Sequence, residues 1–168
     1  MSDTDRSYSG TIVAAIVFAA MIAGVVYRYW PSEERAIRRH LSNLAEAISI
    51  PSTDSEVERI TRFAALGEYF SPDVRVRLDG QEIVSRETLI GLLSQWRPPA
   101  GGVAVEFVDV TVALAPDEAT AEVGLTAKAS TTDATTGEST LDQRLMDLGM
   151  TKLAGDWVIA SATTRDAR

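Results

Sequence analysis

Few side chains in this sequence could support chemistry, and most of them are carboxylates. Of the 168 residues, one is a histidine, His40, and none is a cysteine. A thiolate nucleophile, a disulfide and a metal site built from several histidines are therefore excluded. His40 lies at the edge of an apolar helical stripe, and the sequence shows no partner that would position it as a general base.

Two acidic residues are the better candidates for a catalytic base. Asp109 lies where the alternation of apolar residues changes phase within a long strand pattern, and Asp142 lies on the penultimate strand pattern. Such a phase change indicates a β-bulge, which often redirects a side chain beside a site. A carboxylate inside an apolar pocket would have a raised pKa and could accept a proton. The competing interpretation places both acids, with Glu106 and Asp147, on the solvated face of a sheet.

Two aromatic residues, Tyr69 and Trp96, are candidates for the mouth of such a pocket. Their helical spacing is also typical of side chains that pack in the core, and both interpretations stay open. The sequence contains no nucleophile triad and no glycine-rich phosphate loop, so we expect no cofactor. The formal net charge of −8 makes a nucleic-acid partner unfavourable, because phosphate backbones repel an acidic domain.

The elements that would position these residues begin with helices. The 3.6-residue periodicity of apolar residues predicts helices over 32–49, 54–69 and 85–96. The residues expected in the core from the first two helices are Ile37, Leu41, Leu44, Ala45 and Ile48, followed by Val57, Ile60, Phe63, Ala64 and Tyr69.

Strands follow the helices. Alternation of apolar and polar residues predicts strands over 74–78, 82–84, 103–114, 119–129, 141–153 and 157–160, with a Thr- and Ser-rich loop over 130–140. Helices followed by a meander of strands indicate an α+β domain with helices on one face of an antiparallel sheet.

This order of elements resembles the nuclear transport factor 2-like, or SnoaL-like, cone fold. The resemblance rests on LGEYFSPDVRV over 66–76, a helix after a short hairpin, and the closing KLAGDWVIA over 152–160, and it covers about residues 32–164. It implies three helices packed on a bent antiparallel sheet, a cone-shaped cavity in the enzymes, and possible pairing of two copies through the outer sheet face. The superfamily includes isomerases, cyclases, dehydratases, binding modules and assembly subunits, so the fold alone does not choose a function.

An apolar segment precedes this domain. Residues 11–30 carry no charge before Arg28, and their length as a helix is close to the roughly 30 Å of a bilayer core. Aromatic residues lie at both ends, as is typical of membrane–water interfaces. We therefore expect a single-pass helix in the cytoplasmic (inner) membrane, with a cleaved signal peptide as the alternative. The boundaries are a polar tail over 1–10, the transmembrane helix over 11–30, the domain over 31–165 and a tail over 166–168.

Two sets of residues near this segment are candidate contacts. Small residues at four-residue spacing, which let another helix approach closely, are Ala15, Ala19, Ala20, Ala23 and Gly24. Arginines that could contact headgroups or a partner near the membrane are Arg28, Arg35, Arg38 and Arg39. The alternatives are the ordinary abundance of alanine in membrane helices and a solvated helix face. Because the arginines also fit the first helix of the domain, the side of the membrane stays open.

Together these features predict a non-catalytic, membrane-anchored accessory or scaffolding subunit. Its expected partners are other subunits of a membrane complex, the lipid bilayer around residues 11–30 and, as the resemblance implies, a second copy of itself. The alternative is a membrane-anchored small-molecule-binding protein or an isomerase- or dehydratase-like enzyme that uses the cone cavity.

Overall fold

The structure is a computed structural model that describes residues 32–53, 55–78 and 80–165. Its helices are α1 (Glu33–Ile48), α2 (Glu56–Leu66) and α3 (Arg86–Gln95), with a short 3-10 turn over Gly67–Tyr69. Its strands are β1 (Phe70–Leu78), β2 (Gln81–Val84), β3 (Val103–Leu114), β4 (Thr120–Thr132), β5 (Ser139–Leu153) and β6 (Asp156–Arg165).

The expected membrane segment, residues 11–30, lies outside the described residues, together with both tails. The same holds for the candidate packing face Ala15, Ala19, Ala20, Ala23 and Gly24, and for Arg28. Among the residues that are described, no helix has the length and apolar character needed to cross a membrane.

The six strands form one sheet in the order β2-β1-β6-β5-β4-β3. The expectation of an antiparallel sheet is correct for four of the five strand pairs and wrong for β1 and β6, which are parallel. The reason is the route of the chain. It leaves β1 through β2 and α3, then returns along the meander β3 to β6, whose last strand runs beside β1 in the same direction.

Helix α1 supplies the centre of the core, as its periodicity predicts. Ile37, Leu41 and Leu44 are each no more than 3% exposed. They recur at intervals of four and three residues, so they lie on one side of the helix. That side packs mainly against β3 and also contacts β6.

Helix α2 buries a different side from the one predicted. Ser55 caps its N-terminus in a capping box with Glu58, and Phe63 and Leu66 are buried. The prediction that Val57 and Ile60 face the core is wrong, because they are 73% and 58% exposed. At about 100° per residue, Val57 and Ile60 lie on one side of the helix and Leu66 on another, so burying Phe63 and Leu66 leaves the first side uncovered.

The region predicted as a loop over 130–140 is mostly strand. β4 continues to Thr132 and β5 begins at Ser139, and residues are paired up to the Thr132–Ser139 position. Threonine is a good strand residue, and its polarity obscured this in the sequence. The remaining turn is held by Asp133, whose carboxylate accepts hydrogen bonds from the amides of Thr135 and Thr136.

The predicted bulge in β3 is confirmed. The pairing of β3 with β4 shifts between Val108 and Thr111, and Asp109 adopts a positive φ of 54°. β3 is an edge strand, and beside the bulge the backbone carbonyl of Val110 accepts a hydrogen bond of 2.7 Å from Nη1 of Arg38 on α1. An arginine from the helix therefore satisfies a backbone group that the sheet leaves unpaired.

The two ends of α1 are also fastened to the sheet. At its start, Glu33 accepts a hydrogen bond from Nε1 of Trp157 and pairs with Nζ of Lys152, both at 2.8 Å. After its end, Ile50 exchanges two backbone hydrogen bonds with Val103, of 2.7 and 2.8 Å. These contacts join the first helix to β3 and to the β5–β6 hairpin.

We predict that Gly102→Ala destabilises the protein far more than Gly80→Ala. Both glycines have a positive φ, so both alanines carry the left-handed strain of about 1–2 kcal/mol. A Cβ at Gly102 would lie 2.6 Å from the carbonyl oxygen of Ile50, whereas one at Gly80 would meet nothing within 4 Å. We expect a loss of about 3 kcal/mol or more for Gly102→Ala, measured by urea unfolding of the full chain in mild detergent. Equal losses would contradict the close approach at Ile50.

We predict that Glu33→Gln lowers the unfolding free energy by about 1 kcal/mol at neutral pH and by much less in acid. Hydrogen bonds from Lys152 and Trp157 hold the pKa of Glu33 below its ordinary value of 4.5. Its stabilising effect is therefore complete above the unfolded-state pKa and is lost as the pH falls through the lower folded-state pKa.

The measurement is urea unfolding of wild type and variant at pH 7 and at about pH 3, a pH low enough to protonate most carboxylates. Glu34→Gln is the matched control, because the ion pair of Glu34 is with an exposed arginine of its own helix, Arg38. A difference between wild type and Glu33→Gln that stays constant across this range would contradict the assignment.

Candidate functional site

The space between the helices and the sheet is filled by apolar side chains. The residues that fill it, each no more than 5% exposed, include Ile37, Leu41, Leu44, Phe63, Leu66, Val123, Leu125, Leu148, Met150 and Ile159. Within the described part of the chain, the one buried polar residue is Ser71, whose hydroxyl donates to Asp73. The described interior of the cone therefore presents packing surface and no group of converging polar side chains.

The two candidate acids lie on opposite faces of the sheet. Asp109 is exposed, and its carboxylate accepts a hydrogen bond of 3.4 Å from Thr126, on the face turned away from the helices. Asp142 is paired with Ala129 on the helix-facing side, but it lies beyond the core. Its side chain is 63% exposed and is paired with Arg144 at 3.2 Å. The structure does not bring these acids together.

The two candidate aromatics are also apart. Tyr69 is half-buried, and its ring centroid lies 4.9 Å from that of His40. Trp96 follows the last residue of α3 and is 43% exposed. It therefore lies on the surface of the helical layer.

His40 is a half-buried histidine in a confined setting. Burial lowers its pKa, and a backbone hydrogen bond with Tyr69 and the charge of Asp156 oppose that change without reversing it. Its Nε2 atom is buried and has no hydrogen-bond partner among the described residues. His40 is therefore neutral at physiological pH and bonds through one ring nitrogen.

The arginines expected near the membrane have different surroundings. Arg38 pairs with Glu34 and donates to Val110, so it fastens α1 to the sheet. Arg35 and Arg39 are exposed on the same helix.

A recess of about 570 Å³ lies on the sheet face turned away from the helices, between β3 and β6. Gly124 and Gly149 form part of its lining, and a Cβ on either would press on Thr111 or Ser161. Arg165 reaches across Gly124 and forms a two-bond pair with Asp147, which raises the pKa of the arginine. The end of the Arg165 side chain therefore lies over Gly124, at the edge of the recess.

Metal binding receives no support from the described residues, in which no three His, Asp or Glu side chains gather into a possible metal site. Pairing through the outer sheet face was expected from the resemblance alone, and its exposed apolar members, Leu141 and Leu145, were not among the predicted site residues. These leucines are 57% and 43% exposed. In the sequence, Leu141 and Leu145 alternate with Gln143 and Asp147 at two-residue spacing, which places all four side chains on one face of the strand.

Comparison with known proteins supports the fold. No protein-family model and no curated protein matches the chain. A putative scytalone dehydratase from Novosphingobium aromaticivorans is similar at a TM-score of 0.63 and 15% identity, over 81% of this chain and 85% of that one. The association domain of CaMKII from C. elegans is similar at 0.62 and 18%, over 79% and 95%.

A third solved structure, the CaMKII hub homology domain from Chlamydomonas reinhardtii, is similar at a TM-score of 0.62 and 12% identity, over 82% of this chain and 100% of that one. Identities this low show a shared fold and not a shared activity. The described domain thus has the nuclear transport factor 2-like cone fold, an α+β architecture with three helices on a bent sheet.

Proposed function

We propose that this protein is a membrane-anchored, non-catalytic accessory or scaffolding subunit whose cone domain binds other proteins. The observation that supports this most is the apolar filling of the space between helices and sheet. An enzyme of this fold needs an open pocket with a few converging polar groups. Here the candidate acids Asp109 and Asp142 lie exposed on opposite faces of the sheet and do not converge on one pocket.

The outer face of the sheet is the surface we assign to a protein partner, and a second copy of the chain is the first candidate. Around the recess, Gly124 and Gly149 lack side chains and the Arg165–Asp147 pair lies across Gly124, so a protruding part of a partner can approach the strands closely there. Leu141 and Leu145 provide exposed apolar area on the same face. Two of the similar solved structures are named as an association domain and a hub homology domain, which is consistent with assembly on this fold.

The membrane anchor is proposed from the sequence of residues 11–30. The segment is long and apolar enough to span a bilayer, and its small residues at four-residue spacing suit contact with another membrane helix. A membrane-anchored domain whose interior is packed with apolar side chains, and whose outer sheet face is open to contact, is consistent with a subunit that holds proteins together at a membrane.

One observation favours the alternative function of a small-molecule-binding protein or dehydratase-like enzyme. Nε2 of His40 is buried without a partner in the described structure, beside Tyr69. A ligand hydroxyl could satisfy that nitrogen. Titration of the full chain with ligands, followed by the chemical shift of the His40 ring, would reveal such binding.

We predict that the double variant Leu141→Arg, Leu145→Arg weakens self-association or partner binding by about tenfold or more, because charge replaces apolar contact at the interface. Leu114→Arg is the matched control, since Leu114 is 38% exposed but lies on the helix-facing side of the sheet, paired with Ala121. Asp142→Ala, on the helix-facing side of the sheet, should leave assembly unchanged. The measurement is light scattering of the full chain in mild detergent over a range of concentrations. Equal effects of the Leu114 and double variants would contradict the proposed interface.

A further inference from the structure

Helices α2 and α3 expose an apolar surface that the core does not use. Its members, which we call the α2–α3 surface, are Val57, Ile60, Leu92 and Trp96. Their exposed fractions are 73%, 58%, 48% and 43%. Isolated exposed apolar residues are ordinary, but two pairs of large ones on two contacting helices need an explanation.

The two helices are held together independently of this surface. Nη1 of Arg86, at the start of α3, donates to the carbonyl of Gly67 after α2, and Phe63, Leu66 and Leu89 are buried beneath them. The exposed residues are therefore available for a contact outside the domain.

Charge distinguishes this part of the domain from the rest. Segments 56–67 and 86–97 together carry four arginines and three glutamates, whereas elsewhere in residues 33–165 acidic residues outnumber basic ones by two to one. Arg97 is exposed directly beside Trp96. Exposed aliphatic residues, a tryptophan and arginines are the composition of helices that lie in the interface of a bilayer containing anionic lipids.

We propose that the α2–α3 surface rests on the headgroup region of an anionic bilayer. This inference rests on the proposed membrane anchor, because only Pro31 and Ser32 separate residues 11–30 from α1, a reach of roughly 10 Å. A domain tethered so closely must turn one side toward the lipid. The side of the domain that carries the helices is the less acidic one. When that side faces the lipid, the opposite face of the sheet stays open to a protein partner.

The experiment uses the full chain, which contains no cysteine, so single cysteines can be placed without further changes. Ile60→Cys and Leu92→Cys report on the α2–α3 surface, Gln143→Cys reports on the exposed outer sheet face, and Ala20→Cys reports on the anchor. Each variant is labelled with a nitrobenzoxadiazole fluorophore and reconstituted in phosphatidylcholine vesicles with about a quarter phosphatidylglycerol. Lipids with a nitroxide near the headgroup act as quenchers.

We expect quenching of about twofold or more at positions 60 and 92 and little at position 143, with weaker quenching at 60 and 92 when phosphatidylglycerol is left out. Quenching that is equal at 60, 92 and 143, or absent at 60 and 92, would overturn the proposal. A blue shift at 60 and 92 without quenching would assign the surface to a protein contact and would also overturn it. Loss of lipid contact at position 20 would instead overturn the anchor itself.

Discussion

Helix α1 is attached to the sheet by polar contacts along its length and by apolar contacts between them. Glu33 accepts a hydrogen bond from Trp157 and forms an ion pair with Lys152. Arg38 donates a hydrogen bond to the backbone carbonyl of Val110. Beyond the end of the helix, Ile50 forms backbone hydrogen bonds with Val103. Between these points Ile37, Leu41 and Leu44 are buried against the sheet. The position of the helix thus fixes the filled interior of the cone.

The same contacts protect an exposed edge. β3 is the last strand of the sheet, and an uncovered edge strand invites pairing with another chain. The hydroxyl of Ser49 accepts a hydrogen bond from the backbone amide of Val105, and Ile50 forms backbone hydrogen bonds with Val103. Arg38 donates a hydrogen bond to the backbone carbonyl of Val110. Because much of this edge is already hydrogen-bonded, we favour the outer face of the sheet as the place for a partner. Glycines and short hydroxyl side chains line the recess on that face.

Much of this fold is predictable from local patterns, because alternation and helical periodicity report which residues share a face. The buried stripe of α1, the alternation of Val74 and Val76 with arginines, and the bulge near Asp109 are of this kind. Three features are not local. The parallel pairing of β1 with β6 depends on the return of a strand that is distant in sequence. The buried side of α2 depends on which of its two apolar sides meets α1. The shape of the outer face depends on Arg165 of β6, which reaches past β5 to lie over Gly124 of β4.

Assembly with other membrane proteins, without independent enzymatic activity, is the function we propose for this chain. Its most direct test is purification from the native membrane in mild detergent, followed by native mass spectrometry. We expect the intact chain in fixed stoichiometry with other membrane subunits. A chain that leaves the membrane without detergent, or one that is recovered only as a monomer with a bound small molecule, would contradict the account.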